Sequence, residues 1–308
     1  EKADLKKILD PYLRQDRFLN IHTSIQKINL DELENLHIPG PNIEKWSVLR
    51  SGYRSNKFSI TGIIHTLCSN KIIYGFKEYI FGGLESWDAL VCTSSSGREV
   101  VERTINFFQD SFERKYNINL TNYKLPKLCT IPLAVNEITY DKSLTREEKR
   151  ASSRKKLGIS EDAIVILFLG RLSFHGKAHP VPIYRSISKL SSEIENKDII
   201  LLECGSFSNR VIEEHYNNLI RSFKNITVKR VGGMNQASEE AKINSLNAAN
   251  IFISLSDNIQ ETFGLTVIEA MAAELPCVVS DWNGYKDLVK DNETGYLIPT
   301  KYPGEGDK

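Results

Sequence analysis

The sequence predicts an α/β chain with two domains, each built on a parallel sheet. Three observations carry this. A length of 308 residues points to about two domains with ample core. From residue 163 onward, apolar strand-like runs alternate regularly with helical patterns, as in a doubly wound sheet covered on both faces. In the first half, Ala89-Leu-Val-Cys92, then Thr93-Ser-Ser-Ser96, then a helical pattern through Val101, Ile105 and Phe108 forms one strand–loop–helix unit with hydroxyl residues at the cap.

Residues 1–50 are polar and weakly periodic. Leu5, Ile8, Leu9 and Tyr12 or Leu13 mark a short helix, and Ile38-Pro-Gly-Pro41 a loop. Phe58 to Cys68 is a β-rich run ending in small polar residues. It puts His65 at the carboxyl end of a strand, where open α/β sheets keep their ligands. Cys129 to Asn136 is a short strand-like run interrupted by Pro132, and a boundary near Asn136 divides the chain into domains 1–136 and 137–308. Thr145 to Lys156 mixes charges and is read as a solvated linker helix. Its basic side chains also offer a peripheral membrane contact, against which stand its glutamates and the lack of flanking aromatic anchors.

The second half is more regular. Ala163–Leu169 is wholly apolar, as a central parallel strand should be. Helix over about 181–194, strand 199–203, helix 209–223, strand 226–229, helix 239–247 and strand 251–255 follow in turn. A helix opens at Leu265, with Leu265, Ile268 and Ala272 on one side and Thr266, Glu269 and Ala273 on the other. A strand at 277–280 and a short helix near 285–289 complete the pattern.

Composition excludes several classes. A net charge of +1 and 9% aromatics supply no basic field for nucleic acid. Cys68, Cys92, Cys129, Cys204 and Cys277 are scattered, with no C-x-x-C or metal-ligand spacing, so they read as small buried residues of a reducing, cytoplasmic compartment. The longest apolar run, Ala163–Leu169, is far short of a membrane span. No signal peptide is visible, and because residue 1 is Glu rather than Met an upstream segment is expected to be missing.

Two blocks carry candidate chemistry. In Glu261-Thr-Phe-Gly-Leu-Thr-Val-Ile-Glu269, a loop carboxylate precedes a glycine turn and the first turns of a helix. The first amides of that helix, near Gly264, Leu265 and Thr266, have no partner within it and favour an anion. Gly264, lacking Cβ, would let a ligand approach the backbone. Glu269 suits a vicinal diol such as a ribose, and Glu261 a second hydroxylated ring. The second block, Gly170-Arg171-Leu-Ser-Phe-His175-Gly-Lys177, follows a strand and puts two cations on a loop at the ligand edge. Taken singly, each of these side chains is also read as an ordinary surface charge, and His65 as an ordinary satisfied histidine. His175 and His179 receive no role. No G-x-x-x-x-G-K-[ST] is present, which disfavours a P-loop NTPase.

Taken together, the blocks resemble the retaining nucleotide-sugar glycosyltransferases of the GT-B fold, family 4, the group 1 type. The resemblance rests on E-x7-E from Glu261 to Glu269 with Phe263-Gly264 inside it, Ala270 to Pro276, Ser280-Asp281, Gly284, Glu293 to Pro299, and Gly170-Arg171-Leu172 with Lys177. It implies two Rossmann-like domains facing a cleft. It places Arg171 and Lys177 on the donor diphosphate with the amides near Gly264, Leu265 and Thr266. Glu269 falls on the ribose, Glu261 on donor-sugar hydroxyls, and His65 near the transferred sugar. The catalytic set it implies is Glu261, His65, Arg171 and Lys177. It implies no cofactor beyond a UDP- or GDP-linked donor, no metal, and a glycan, lipid or small-molecule acceptor. The chain departs from the pattern in having Pro132-Leu-Ala-Val135 and no glycine-rich loop near its start. The first domain is therefore expected to be incomplete, as are the terminal helices of the second. A non-catalytic nucleotide-sugar-binding or scaffold module of the same fold stays open as the alternative, with a sugar-nucleotide epimerase third.

Overall fold

The computed structural model describes residues 32–52, 58–120, 123–135, 143–194 and 196–301. The helix expected near Leu5–Leu13 and the boundary at Asn136 lie outside them. In chain order, the first lobe contains β1 (Asn35–Ile38), α1 (Glu44–Ser51), β2 (Ser59–Ile63), α2 (Asn70–Gly75), α3 (Glu78–Phe81), β3 (Ala89–Cys92), α4 (Ser95–Tyr116) and β4 (Lys127–Thr130). Its four strands are parallel and lie in the order β1-β2-β3-β4. Ile60, Leu90, Val101 and Ile105 are in its buried core. Arg50 and Asp88, at 1% and 0% exposure, form a bidentate pair of 2.7 and 2.8 Å beneath these strands.

The second lobe contains α5 (Arg146–Leu157), β5 (Ile164–Leu169), α6 (Val181–Glu193), β6 (Ile199–Ser206), α7 (Arg210–Arg221), β7 (Thr227–Gly233), α8 (Glu239–Ala248), β8 (Ile251–Ser254), α9 (Leu265–Ala272), β9 (Cys277–Asp281), α10 (Tyr285–Leu288) and β10 (Gly295–Pro299). Its sheet is parallel throughout, in the order β10-β9-β8-β5-β6-β7. β5 shows why its sequence is apolar without alternation. Val165, Leu167 and Leu169 join Leu246 and Val267 in one core, while Ile166 and Phe168 join Ile183 and Tyr216 in the other. A strand covered on both faces has no polar side. Between β5 and β8 the strand order reverses direction, and ligands of open α/β sheets bind beside the carboxyl ends of such strands.

Three sequence expectations need correction. Thr145–Lys156 is helical, with a capping box between Thr145 and Glu148, but it is not a solvated linker. Arg154 is buried and donates to Ala248 O, and Arg146 donates to Asn247 O and Ala249 O, so these two arginines dock α5 on the carboxyl end of α8. Secondly, α9 buries Val267 and Ala270 while Leu265 is exposed, so the apolar face is not the one expected from periodicity. The segment Leu-Thr-Val-Ile-Glu-Ala-Met-Ala is apolar nearly all round, and its turn at Gly264 decides the face. Thirdly, β1 and α1 form in the stretch before residue 52, nearly all of which reads as polar and weakly periodic.

Candidate active site between the lobes

Loops at the carboxyl ends of β2 and β3 meet the second lobe. Thr262 donates its hydroxyl to His65 O at 3.0 Å, and Ser94 donates to Thr262 O. Ser96 donates to Asn283 O at 2.9 Å. Asp287 accepts from both the amide (2.6 Å) and the hydroxyl of Ser95, so a carboxylate of one lobe caps α4 of the other. His65 is itself exposed at this junction, two residues beyond the end of β2.

A cleft of about 260 Å³ opens at the β5 edge, bounded by Gly170, Arg171, Ser206, Lys242, Thr266 and Glu269 among others. Three residues singled out in the sequence therefore share one cavity: Arg171, Thr266 and Glu269. Arg171 is exposed and reaches Gly176 O at 3.3 Å. α9 begins at Gly264 with no side-chain cap, which leaves its first amides without a local side-chain acceptor. Thr266 Oγ1 is buried and has no hydrogen-bond partner among the described residues. Glu269 accepts from Lys242 Nζ at 3.0 Å, and Lys242 also holds Glu239 at 2.9 Å. Burial works against the Lys242 charge, but these two carboxylates outweigh it and raise its pKa above the ordinary lysine range.

Lys177 and Glu261 are not separate charges facing a ligand from two sides, as the sequence suggests. They touch each other, and Lys177 is only 8% exposed. The lysine stem runs against Gly170, which borders the cleft, so the pair lies beside that cavity. Ser256 Oγ (2.7 Å) and Asn258 Nδ2 donate to Lys177 O and fix its backbone to the loop after β8. Burial disfavours the ammonium, yet Tyr285 and Glu261 beside it hold its pKa above the usual lysine value.

Gly264 also differs from expectation. At φ 108° it adopts a backbone that side chains avoid, and a Cβ there would come within 2.5 Å of the Tyr285 ring. The missing Cβ leaves room for that protein ring. Leu265 projects an exposed side chain at the same turn, so its only candidate ligand group is the amide. Sequence reasoning missed Lys242 and Tyr285. Lys242 lies one turn into a helix with no marked polar or apolar face, and Tyr285 is a lone aromatic on a short one, so neither has a local signal. Among the described residues, no group of three His, Cys, Asp or Glu side chains could hold a metal ion.

The family model for glycosyl transferases group 1 matches residues 149–305, just over half of the chain. The chain belongs to that family. Relatives of this glycosyltransferase-family chain include D-inositol 3-phosphate glycosyltransferase of Corynebacterium diphtheriae, 32% identical over 47% of this chain and 33% of that protein. Alpha-monoglucosyldiacylglycerol synthase of Streptococcus pneumoniae is 25% identical over 75% of this chain and 45% of that one. The chain thus spans about a third of the length of the first curated relatives it matches, 33% and 36%. Among solved structures, a Rickettsia africae glycosyltransferase aligns with a TM-score of 0.59 at 17% identity, over 97% of this chain and 66% of that one. Anabaena HepE in complex with UDP and glucose aligns at 0.57 and 13%, over 87% and 64%. These likenesses are of fold: two Rossmann-like lobes in the GT-B arrangement. No helix among the described residues is long and apolar enough to cross a membrane.

Proposed function

We propose that this chain binds a nucleotide-diphosphate sugar and transfers the sugar, with retention of configuration, to an acceptor hydroxyl. The observation that carries the reading is the shared cavity of Arg171, Thr266 and Glu269 at the uncapped start of α9, with Lys177 and Glu261 beside it. Arg171 and Lys177, with the amides of Leu265 and Thr266, hold the diphosphate, and the unpartnered Thr266 hydroxyl adds a donor. Glu269 accepts from the ribose hydroxyls. Glu261 leaves Lys177 to take donor-sugar hydroxyls, and His65 faces the sugar from the first lobe. As the glycosidic bond breaks, charge grows on the leaving phosphate. The cations and helix start stabilise it, and that phosphate takes the proton of the incoming acceptor hydroxyl. The donor is UDP- or GDP-linked and the acceptor a glycan, lipid or small molecule. The place of work is the cytoplasm, with any membrane contact peripheral.

UDP, GDP and ADP are tested by thermal unfolding without added metal. The matching nucleotide stabilises the chain by about 2.7 kcal/mol at roughly 100 times its Kd. Unchanged unfolding with all three, for a folded protein, would count against the reading. Transfer of labelled sugar separates an enzyme from a binding module of the same fold, and product formed without acceptor would favour an epimerase.

A further inference from the structure

Tyr285 is fully buried, and its hydroxyl lies among three polar partners from three parts of the second lobe. Ser254 Oγ, at the end of β8, is 2.8 Å away. Lys177 Nζ, on the loop after β5, and Glu261 Oε2, on the loop after β8, are each 3.3 Å away. The ring covers the position where a Cβ of Gly264 would sit, at the start of α9. One side chain therefore touches the cation, the carboxylate and the turn from which the α9 amides project.

From this geometry we infer that Tyr285 is a positioning residue: its hydroxyl holds Lys177 and Glu261 at fixed places when a donor separates them. A buried phenol needs one partner for its own solvation, and Ser254 supplies it. The further contacts follow a definite proton arrangement. With the phenol's single proton given to Glu261, both Ser254 and Lys177 donate to the phenol oxygen. This uses the phenol's single proton and leaves one Lys177 donor over, and no two like groups face each other. When a diphosphate draws Lys177 and a sugar hydroxyl draws Glu261, the direct contact between them is lost. The phenol oxygen remains within reach of both. The ring keeps the start of α9 in register with that pair, so anion-binding amides and cation are placed by the same residue.

The inference rests on the donor reading above, and a double-mutant cycle tests the two apart. Affinity for UDP and for GDP is measured by titration calorimetry in wild type, Tyr285→Phe, Lys177→Met and the double variant. Tyr285→Phe keeps the ring over Gly264 and removes only the hydroxyl. It should weaken the nucleotide that wild type binds by about ten-fold, the worth of one hydrogen bond to a charged group. In the Lys177→Met background the same change should cost less than about two-fold, because coupling requires both partners. Equal weakening in the two backgrounds, or no weakening in the first, would overturn the positioning role while leaving the donor reading intact. Wild type that binds neither nucleotide would remove both. Tyr285→Leu, which also deletes the ring, supplies the structural comparison. It should lower the unfolding midpoint below that of Tyr285→Phe, and a similar fall in Tyr285→Phe would mark the hydroxyl as merely structural.

Discussion

Two of the buried cation–carboxylate pairs, one taken from each lobe, do opposite work. In the first lobe, Asp88 receives both arms of Arg50 and also accepts the amides of Ile60 (2.7 Å) and Glu85 (2.8 Å). Arg50 spends its remaining reach on Phe58 O (3.1 Å) and Gly83 O (2.7 Å). Every charge is surrounded by protein, and the pair ties α1 to the strands. In the second lobe, Lys177 and Glu261 meet at 9% and 16% side-chain exposure beside an open cleft. An ammonium has three donors, and its contacts with Glu261 and Tyr285 use two. A completed buried pair holds a fold; an incomplete one at a cleft edge can exchange partners with a ligand.

The sharpest way to break this contrast is to remove one carboxylate from each pair. Asp88→Ala leaves a fully buried guanidinium without its counter-charge and should cost about 3–5 kcal/mol of stability, read from urea unfolding. Glu261→Gln keeps a hydrogen-bond acceptor beside Lys177 and lies partly in solvent, so its loss should be clearly smaller. Equal losses would mean that the second pair is as structural as the first. Function should invert the ranking. Lys177→Ala should lower sugar transfer by about a hundred-fold or more, the usual effect of deleting one group that stabilises developing charge. Transfer at the wild-type rate would remove Lys177 from the chemistry.

The same contrast explains what could be read from the chain. The Glu261–Glu269 block and the Gly170–Lys177 block are contiguous, and their spacing relative to strands and a helix start is visible locally. Through the family resemblance those blocks carry, Arg171, Thr266 and Glu269 could be assigned to one donor site before any coordinates. The second lobe's alternation was legible because β5, β6 and β8 bury both faces and leave long apolar runs. Arg50–Asp88 was invisible, because 38 residues separate the partners and nothing near Arg50 marks it as buried. The pairing of Lys177 with Glu261 across 84 residues was missed for the same reason, as were the docking of Arg146 and Arg154 and the hydroxyl of Tyr285. Sequence periodicity reports which elements form; it does not report which distant polar groups meet.

Asp287 offers a smaller, intermediate test. It is exposed, yet it caps α4 across the junction between lobes, where the helix dipole favours its charge. Asp287→Ala should cost about 1 kcal/mol, the ordinary worth of a cap. Asp287→Asn retains an acceptor and should recover most of it. If both variants unfold like wild type, the cross-lobe contact contributes nothing to stability, and only the buried pairs remain to be compared.

The smallest effect expected is a pH dependence confined to the second pair. Burial opposes the charge on Lys177, but Tyr285 and Glu261 raise its folded pKa above the unfolded value. A raised lysine contributes stability in full below the unfolded pKa of about 10.4 and loses it as pH rises through the folded pKa. Below about pH 9 the unfolding free energy should therefore be insensitive to this group. As pH rises past about 10.4, wild type should lose stability that Lys177→Met does not. Tyr285, its pKa raised by burial, acts in the same direction, because its ionisation above the usual tyrosine range favours the unfolded chain. Comparing wild type with Lys177→Met, then each with its Tyr285→Phe counterpart, assigns the alkaline loss between the two groups. Parallel curves for wild type and Lys177→Met up to the end of the alkaline range would show that the ammonium gains nothing from its neighbours. The second pair would then be an incidental contact at the cleft edge, with no charge held ready for a phosphate.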